Sequence, residues 1–235
     1  MKKYLLAFFG ELRDFEFVIP LLEDLDKVDI IVSTWSISSR GDTTFEVNED
    51  YIKKILPNVK QVHIINNDDF TYNWKMNNDY TSAHIRNTHN INTQRIIHHW
   101  KTIINNLKNL NEYDNIIFHR TDLVSSWNEI LNQDIEKDTI YLHTHDDLYA
   151  NNEEYPMAHW CNDYYFYGKI DIVKKFINNF NEDYTDSHYA IYKVLTKNNI
   201  RYKRYVFRGS LYKNWGNPNQ KLSNTVRISK NPTDY

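Results

Sequence analysis

The stretch YDNIIFHRTDL, Tyr113 to Leu123, decides how the chain is read. Its centre, Asn115–His119, is a short, nearly unbroken apolar run, the pattern of a strand covered on both faces. The run passes straight into the charged turn Arg120-Thr121-Asp122. A strand buried on two faces belongs to a largely parallel sheet flanked by helices, and in such sheets ligands bind beyond the carboxyl ends of the strands. One segment therefore predicts an α/β fold and the place of its site.

Similar units recur on either side. Tyr4–Phe9 is a first strand, Val28–Trp35 a second and Gln61–Ile65 a third. Thr139–His143, Asp163–Tyr167 and Tyr202–Phe207 follow the central segment. Between them lie helical patterns at Phe17–Leu25, interrupted near its start by Pro20, and at Glu49–Leu56, which ends before Pro57. The clearest helix runs from Asn92 to Leu110, with Ile96, Ile97, Trp100, Ile103, Ile104, Leu107 and Leu110 on one stripe. His98 and His99 fall on different helix faces and are expected to be partly exposed. Asp171–Phe180 and Ser187–Lys197 are the last two helices. Residues 66–91 are polar and weakly periodic, and are expected to make a long excursion over the site. The expectation is a single domain over 1–235, a mixed, mostly parallel Rossmann-like sheet flanked by helices. Residues 210–235 would form a C-terminal flap or tail.

Composition narrows the function. The 235 residues suit one full-sized domain, and 28 Lys+Arg against 31 Asp+Glu lack the basic footprint of a dedicated nucleic-acid binder. No transmembrane segment is expected, because no apolar run approaches eighteen residues. The N-terminal MKKYLLAFF imitates a signal peptide, but its apolar run is short and no small-residue cleavage site follows, so it is read as a strand. The single cysteine, Cys161, excludes an internal disulfide and a cysteine zinc cage, and a reducing, cytoplasmic setting is expected. Cys161 itself is read as a small buried residue rather than a nucleophile. Aromatics reach 15%, including 18 Tyr and 6 Trp. Such side chains line sites for sugars and other amphipathic ligands, although an AT-rich genome also favours Tyr together with Asn, Lys and Ile.

The polar residues after each strand are the first site candidates. After the first strand stand Gly10, Glu11 and Arg13, where Gly10 lets a ligand approach the backbone and Arg13 suits a phosphate. After the second come Ser33, Thr34 and Trp35, the indole offering a surface for a nucleobase. After the central strand come Arg120 and Asp122. Asp122 is a candidate ligand for Mn²⁺ or Mg²⁺, which often takes one or two protein carboxylates and completes its shell with substrate phosphates. The alternative is a strand-end aspartate simply paired with Arg120.

The ordered set FFGELRDF, DIIVSTW, NINTQRIIHHW, YDNIIFHRTDL and NDYYFYGKIDIVKKF, spanning about residues 5–180, resembles GT-A fold glycosyltransferases. It is most similar to the WavE-like group of lipopolysaccharide and capsule synthesis, which has relatives in large viruses. The resemblance implies a GT-A-like sheet and sugar transfer from a UDP- or GDP-sugar donor to a glycan or glycoconjugate acceptor, in the cytoplasm or a viral host's cytoplasm. It implies donor contacts at Gly10, Arg13, Thr34, Trp35, Arg120 and Asp122, with Asp122 as counterpart of the second aspartate in a DxD metal motif. Arg120 stands where the first aspartate would be. Asp163 is implied at the acceptor pocket or in catalysis, Gly168 as giving the acceptor room, and Asp186 as a general base. Asp186 is equally a natural helix N-cap. Tyr149, Tyr155 and Trp160 would suit the acceptor sugar.

Two rival readings stay open. His143, His145 and Asp146 have spacing that permits a transition metal, as in a metal-dependent hydrolase. A non-catalytic carbohydrate-binding domain would also use the aromatic excess.

Overall fold

In the computed structural model, which describes residues 3–40, 43–70, 83–125, 128–143, 165–180, 187–205, 209–211 and 233–234, the first strand β1 (Tyr4–Phe9) is buried along its whole length. A short helix α1 (Phe15–Val18) leads to β2 (Asp29–Trp35), and a small ribbon, β3 (Ile37–Arg40) with β4 (Thr43–Glu46), follows. Next come α2 (Glu49–Ile55), β5 (Val59–Ile65), the long α3 (Ala83–Asn106) and β6 (Asn115–Arg120). The second half holds β7 (Leu123–Ser125), α4 (Asn128–Leu131), β8 (Thr139–His143), β9 (Tyr165–Lys169), α5 (Ile170–Asn178), α6 (Ser187–Lys197), β10 (Arg201–Tyr205), β11 (Gly209–Leu211) and β12 (Thr233–Asp234).

Eight strands form one sheet in the order β12-β10-β8-β9-β6-β1-β2-β5. β1 pairs in parallel with both β2 and β6, β2 with β5, and β8 with β10. β9 lies antiparallel between β6 and β8, and β12 antiparallel to β10. The result is the expected fold class, a mixed and mostly parallel α/β sheet flanked by helices. Within the 210–235 segment, the described residues add strand pairs: β11 onto β7 and β12 onto β10.

Side chains alternate across the sheet with period two, giving one core layer on each face. Leu5, Ala7 and Phe9 of β1, with Ile116 and Phe118 of β6, pack under α3, α5 and α6 through Ile97, Trp100, Val173, Phe176 and Leu195. Tyr4, Leu6 and Phe8, with Ile117, Tyr141, Tyr165 and Tyr167, face Phe15, Val18, Ile52 and Ile130 on the other side. Much of the aromatic excess is used here. Trp100 meets Phe9, Phe166 and Phe180 edge-on at 5.7, 4.9 and 5.5 Å, while Phe118 stacks on Phe166 at 4.8 Å. On the opposite face Tyr141 stacks on Tyr167 at 4.8 Å. The tyrosine hydroxyls anchor the chain after β7: Tyr4 donates to the Ile130 carbonyl, Tyr167 to Gln133, and Tyr141 accepts from the Glu136 amide.

Several boundaries differ from expectation, each for a local reason. Phe17–Leu25 is not one helix: α1 gives way to a 3₁₀ turn at Ile19–Leu21, where Pro20 supplies no amide hydrogen. Leu22 is already extended, and Asp24 is left-handed with φ 58°. α3 starts nine residues before Asn92, so 83–91 is helix rather than loop; its sequence AHIRNTHNI carries too few apolar residues to show a stripe. At its other end α3 stops at Asn106, and Leu110 begins a separate 3₁₀ turn after Asn109, whose φ is 57°. His99 is buried, not partly exposed, because α3 lies against β1 and β2 there. Gly168 serves packing rather than the acceptor. β9 runs antiparallel, so this glycine pairs with Ile116 toward the amino end of β6, away from Arg120. A Cβ on Gly168 would come within 3.1 Å of the Thr139 carbonyl oxygen and 3.2 Å of Val173.

Candidate functional site

From β1 the sheet is built outward through β2 to β5, and the chain then returns to β6 on the other flank of β1. The carboxyl ends of β1 and β6 therefore border the point where strand order reverses, the preferred ligand crevice of an open α/β sheet. Phe9 and Arg120 are directly in register across it. The two groups of candidates drawn from distant sequence, Gly10–Arg13 and Arg120–Asp122, thus become neighbours.

Gly10 turns the chain out of β1 with φ +109°, while its amide donates to the Ser33 carbonyl at 3.1 Å. A Cβ there would touch only the Thr121 hydroxyl, at 3.6 Å, so the glycine answers to backbone conformation and the space beside it is open. Gly10→Ala is accordingly expected to destabilise the protein by roughly 1–2 kcal/mol through backbone strain alone. Urea titration checks this; an unchanged midpoint would mean the turn accepts a side chain.

The two turns are locked together. The Thr121 amide donates to the Phe9 carbonyl at 3.2 Å, and its hydroxyl to the Glu11 carbonyl at 2.6 Å. The Glu11 carboxylate, a strand-end candidate to which the sequence assigns no role, is a hub. One oxygen accepts from the Ser39 amide at 2.6 Å and hydroxyl at 2.5 Å, tying down the β3–β4 ribbon. The other accepts from Arg13 Nε at 3.0 Å. Asn67, beyond β5, accepts from the Ser36 hydroxyl and the Ile37 amide, holding the same ribbon from the far side. No local pattern announces either contact, since each joins residues about thirty positions apart.

Arg120 and Asp122 make a bidentate pair, Nε to Oδ1 at 2.9 Å and Nη2 to Oδ2 at 2.5 Å. Both side chains are mostly covered, 24% and 18% exposed. Asp122 is thus present where a cation ligand was expected, but each of its oxygens already accepts from a guanidinium. The donor set does not fit a ready cation site. Among the described residues no three His, Cys, Asp or Glu side chains are grouped to hold a metal ion.

The end of β2 is more enclosed than a nucleobase platform requires. Thr34 is fully buried and Trp35 only 6% exposed. The indole lies parallel to His98 at 6.1 Å, edge-on to His99 at 4.6 Å and to Phe70 at 5.4 Å, with the Arg95 guanidinium 5.7 Å from its centre. Behind it, Ser33 Oγ and His99 Nδ1 form a buried hydrogen bond of 2.9 Å. His119 is also buried, and its Nδ1 donates to the Arg120 carbonyl at 2.7 Å.

Burial pushes both His99 and His119 down to about 3 from the ordinary 6.5. Each is neutral in the folded chain but protonates below about 6.5 once unfolded. Their neutral burial is therefore fully accommodated above pH 6.5, and stability falls with acid between 6.5 and about 3. The expected slope is roughly 1.4 kcal/mol per pH unit for each histidine inside that window. Denaturant midpoints at pH 7 and pH 5 measure it, and His99→Gln should flatten the slope; equal midpoints would contradict the burial.

Asp163, Asp186, Tyr149, Tyr155, Trp160, Cys161, His145 and Asp146 lie outside the described residues. His143 ends β8, its backbone in register with Tyr205. No described helix is long and apolar enough to cross a membrane.

No family model and no curated protein matches the chain. Among solved structures it is similar to the glycosyltransferase GlyE of Streptococcus pneumoniae TIGR4, at 10% identity and TM-score 0.46, over 87% of this chain and 45% of that one. The chain thus spans less than half the length of GlyE. It is also similar to the galactosyltransferase LgtC, solved with donor and acceptor sugar analogues, at 10% identity and TM-score 0.46 over 81% of this chain and 70% of that one.

Proposed function

We propose that this protein is a glycosyltransferase that moves a sugar from a UDP- or GDP-sugar to a glycan or glycoconjugate acceptor. One observation carries the reading: two arginines, Arg13 and Arg120, each oriented by a carboxylate, stand on interlocked turns at the switch point of the sheet. Planar guanidinium groups suit phosphate oxygens, and the positive-φ glycine between them leaves the backbone open to a ligand. In sugar transfer the donor's glycosidic C–O bond breaks and negative charge grows on the departing diphosphate. Fixed cationic donors at that position stabilise the transition state more than the ground state.

Asp163, Tyr155 and Trp160 are assigned to the acceptor, and Asp186 to deprotonating its hydroxyl so that the oxygen attacks the anomeric carbon. The test is incubation with a panel of UDP- and GDP-sugars, following release of the nucleoside diphosphate. At least one donor is expected to be turned over, faster with a glycan acceptor present. No release and no binding with any donor would contradict the proposal. Zinc retained through purification and lost in His143→Ala/His145→Ala would point to a metal-dependent hydrolase instead.

A further inference from the structure

We infer that the diphosphate subsite works without a divalent cation, Arg120 being held by Asp122 in the position a cation would fill. The inference rests on the glycosyltransferase reading and adds the chemistry by which the leaving group is neutralised. It comes from what the crevice carboxylates are doing. Both oxygens of Asp122 are engaged by Arg120, with Nε and Nη2 each in hydrogen-bonding contact. Glu11, a second described carboxylate on these turns, has one oxygen on the Ser39 amide and hydroxyl and the other on Arg13. The guanidinium fork occupies the chelating side of Asp122, and a divalent ion bound there would sit beside a fixed positive charge.

The arrangement is also rigid. Between Arg120 and Asp122, Thr121 is hydrogen-bonded through its amide to Phe9 and through its hydroxyl to Glu11. The Arg120 carbonyl is held by the buried His119. The carboxylate therefore fixes the plane of a guanidinium already in place, whereas a metal-binding aspartate needs its oxygens turned toward the ligand.

Calorimetric titration of the intact chain with UDP and with GDP, first in EDTA and then in excess Mn²⁺ or Mg²⁺, tests this without any variant. The affinity for whichever nucleotide binds is expected to agree within about threefold between the conditions. Asp122→Asn is expected to weaken binding by the same factor with and without Mn²⁺, since its effect passes through Arg120. Electron paramagnetic resonance should show the same Mn²⁺ signal for Mn²⁺ and nucleotide with and without the protein. A gain of tenfold or more with Mn²⁺ that disappears in Asp122→Asn would overturn the inference while leaving the glycosyltransferase reading intact. Binding of neither nucleotide under any condition would overturn both.

Discussion

Trp100→Ala is expected to lower the free energy of unfolding by about 3–5 kcal/mol, the usual cost of deleting a fully buried aromatic ring. Trp100 lies at the meeting point of α3, β1, β9 and the end of α5, touching Phe9, Phe166 and Phe180 edge-on. Phe9 comes from β1 and Phe166 and Phe180 from the consecutive β9–α5 unit, and Phe166 also packs on Phe118 and Phe176, so the rings cannot close the space without disturbing other contacts. Domain stability is usually about 5–15 kcal/mol, and a loss of this size leaves the chain near its folding limit. Urea unfolding followed by circular dichroism measures it. Trp100→Phe should recover most of the loss: the indole nitrogen has no hydrogen-bond partner among the described residues, so removing it forfeits packing alone. A change below 1 kcal/mol for the alanine variant would contradict the central place of α3 in the core.

Arg120→Ala is expected to weaken nucleoside diphosphate binding by roughly ten- to a hundredfold, the worth of about 1.5–3 kcal/mol for hydrogen bonds to a charged group. The variant removes the guanidinium and leaves Asp122, 18% exposed, facing the space the diphosphate would occupy. Arg120→Lys should not restore affinity. A lysine keeps the charge but loses the planar fork that holds both Asp122 oxygens. Comparing the two variants by calorimetry separates geometry from charge. Wild-type affinity in Arg120→Lys would show that charge alone suffices; wild-type affinity in Arg120→Ala would remove Arg120 from the site.

The strands that frame this site were legible because each is a short apolar run ending in polar residues. Tyr4–Phe9 matches β1 to the residue, and the central strand needs only Arg120 added at its end. The α3 stripe was legible for the same kind of reason, and Ile97, Trp100, Ile103 and Ile104 are buried as their spacing requires. What stayed hidden is non-local. Nothing in YDNIIFHRTDL shows that β6 lies beside β1 rather than at the sheet edge, or that β9 is inserted antiparallel between β6 and β8. That reversal carries Gly168 to the wrong end of the sheet for an acceptor role. The Glu11–Ser39 contact is hidden likewise, because it joins a loop to a ribbon with no apolar periodicity to reveal it. Among candidate site residues, a local partnership was readable and distant ones were not: the Asp122–Arg120 pair was one of the two readings open for that aspartate, whereas the Glu11 contacts to Ser39 were not visible.

We propose that the turns after β1 and β6 hold the diphosphate of a nucleotide sugar, and a crystal structure of the protein with a bound UDP- or GDP-sugar is the decisive experiment. The diphosphate is predicted between Gly10–Arg13 and Arg120–Asp122, with guanidinium nitrogens within hydrogen-bonding distance of its oxygens. A nucleotide sugar bound elsewhere, with those two turns untouched, would remove Arg13 and Arg120 from the donor site.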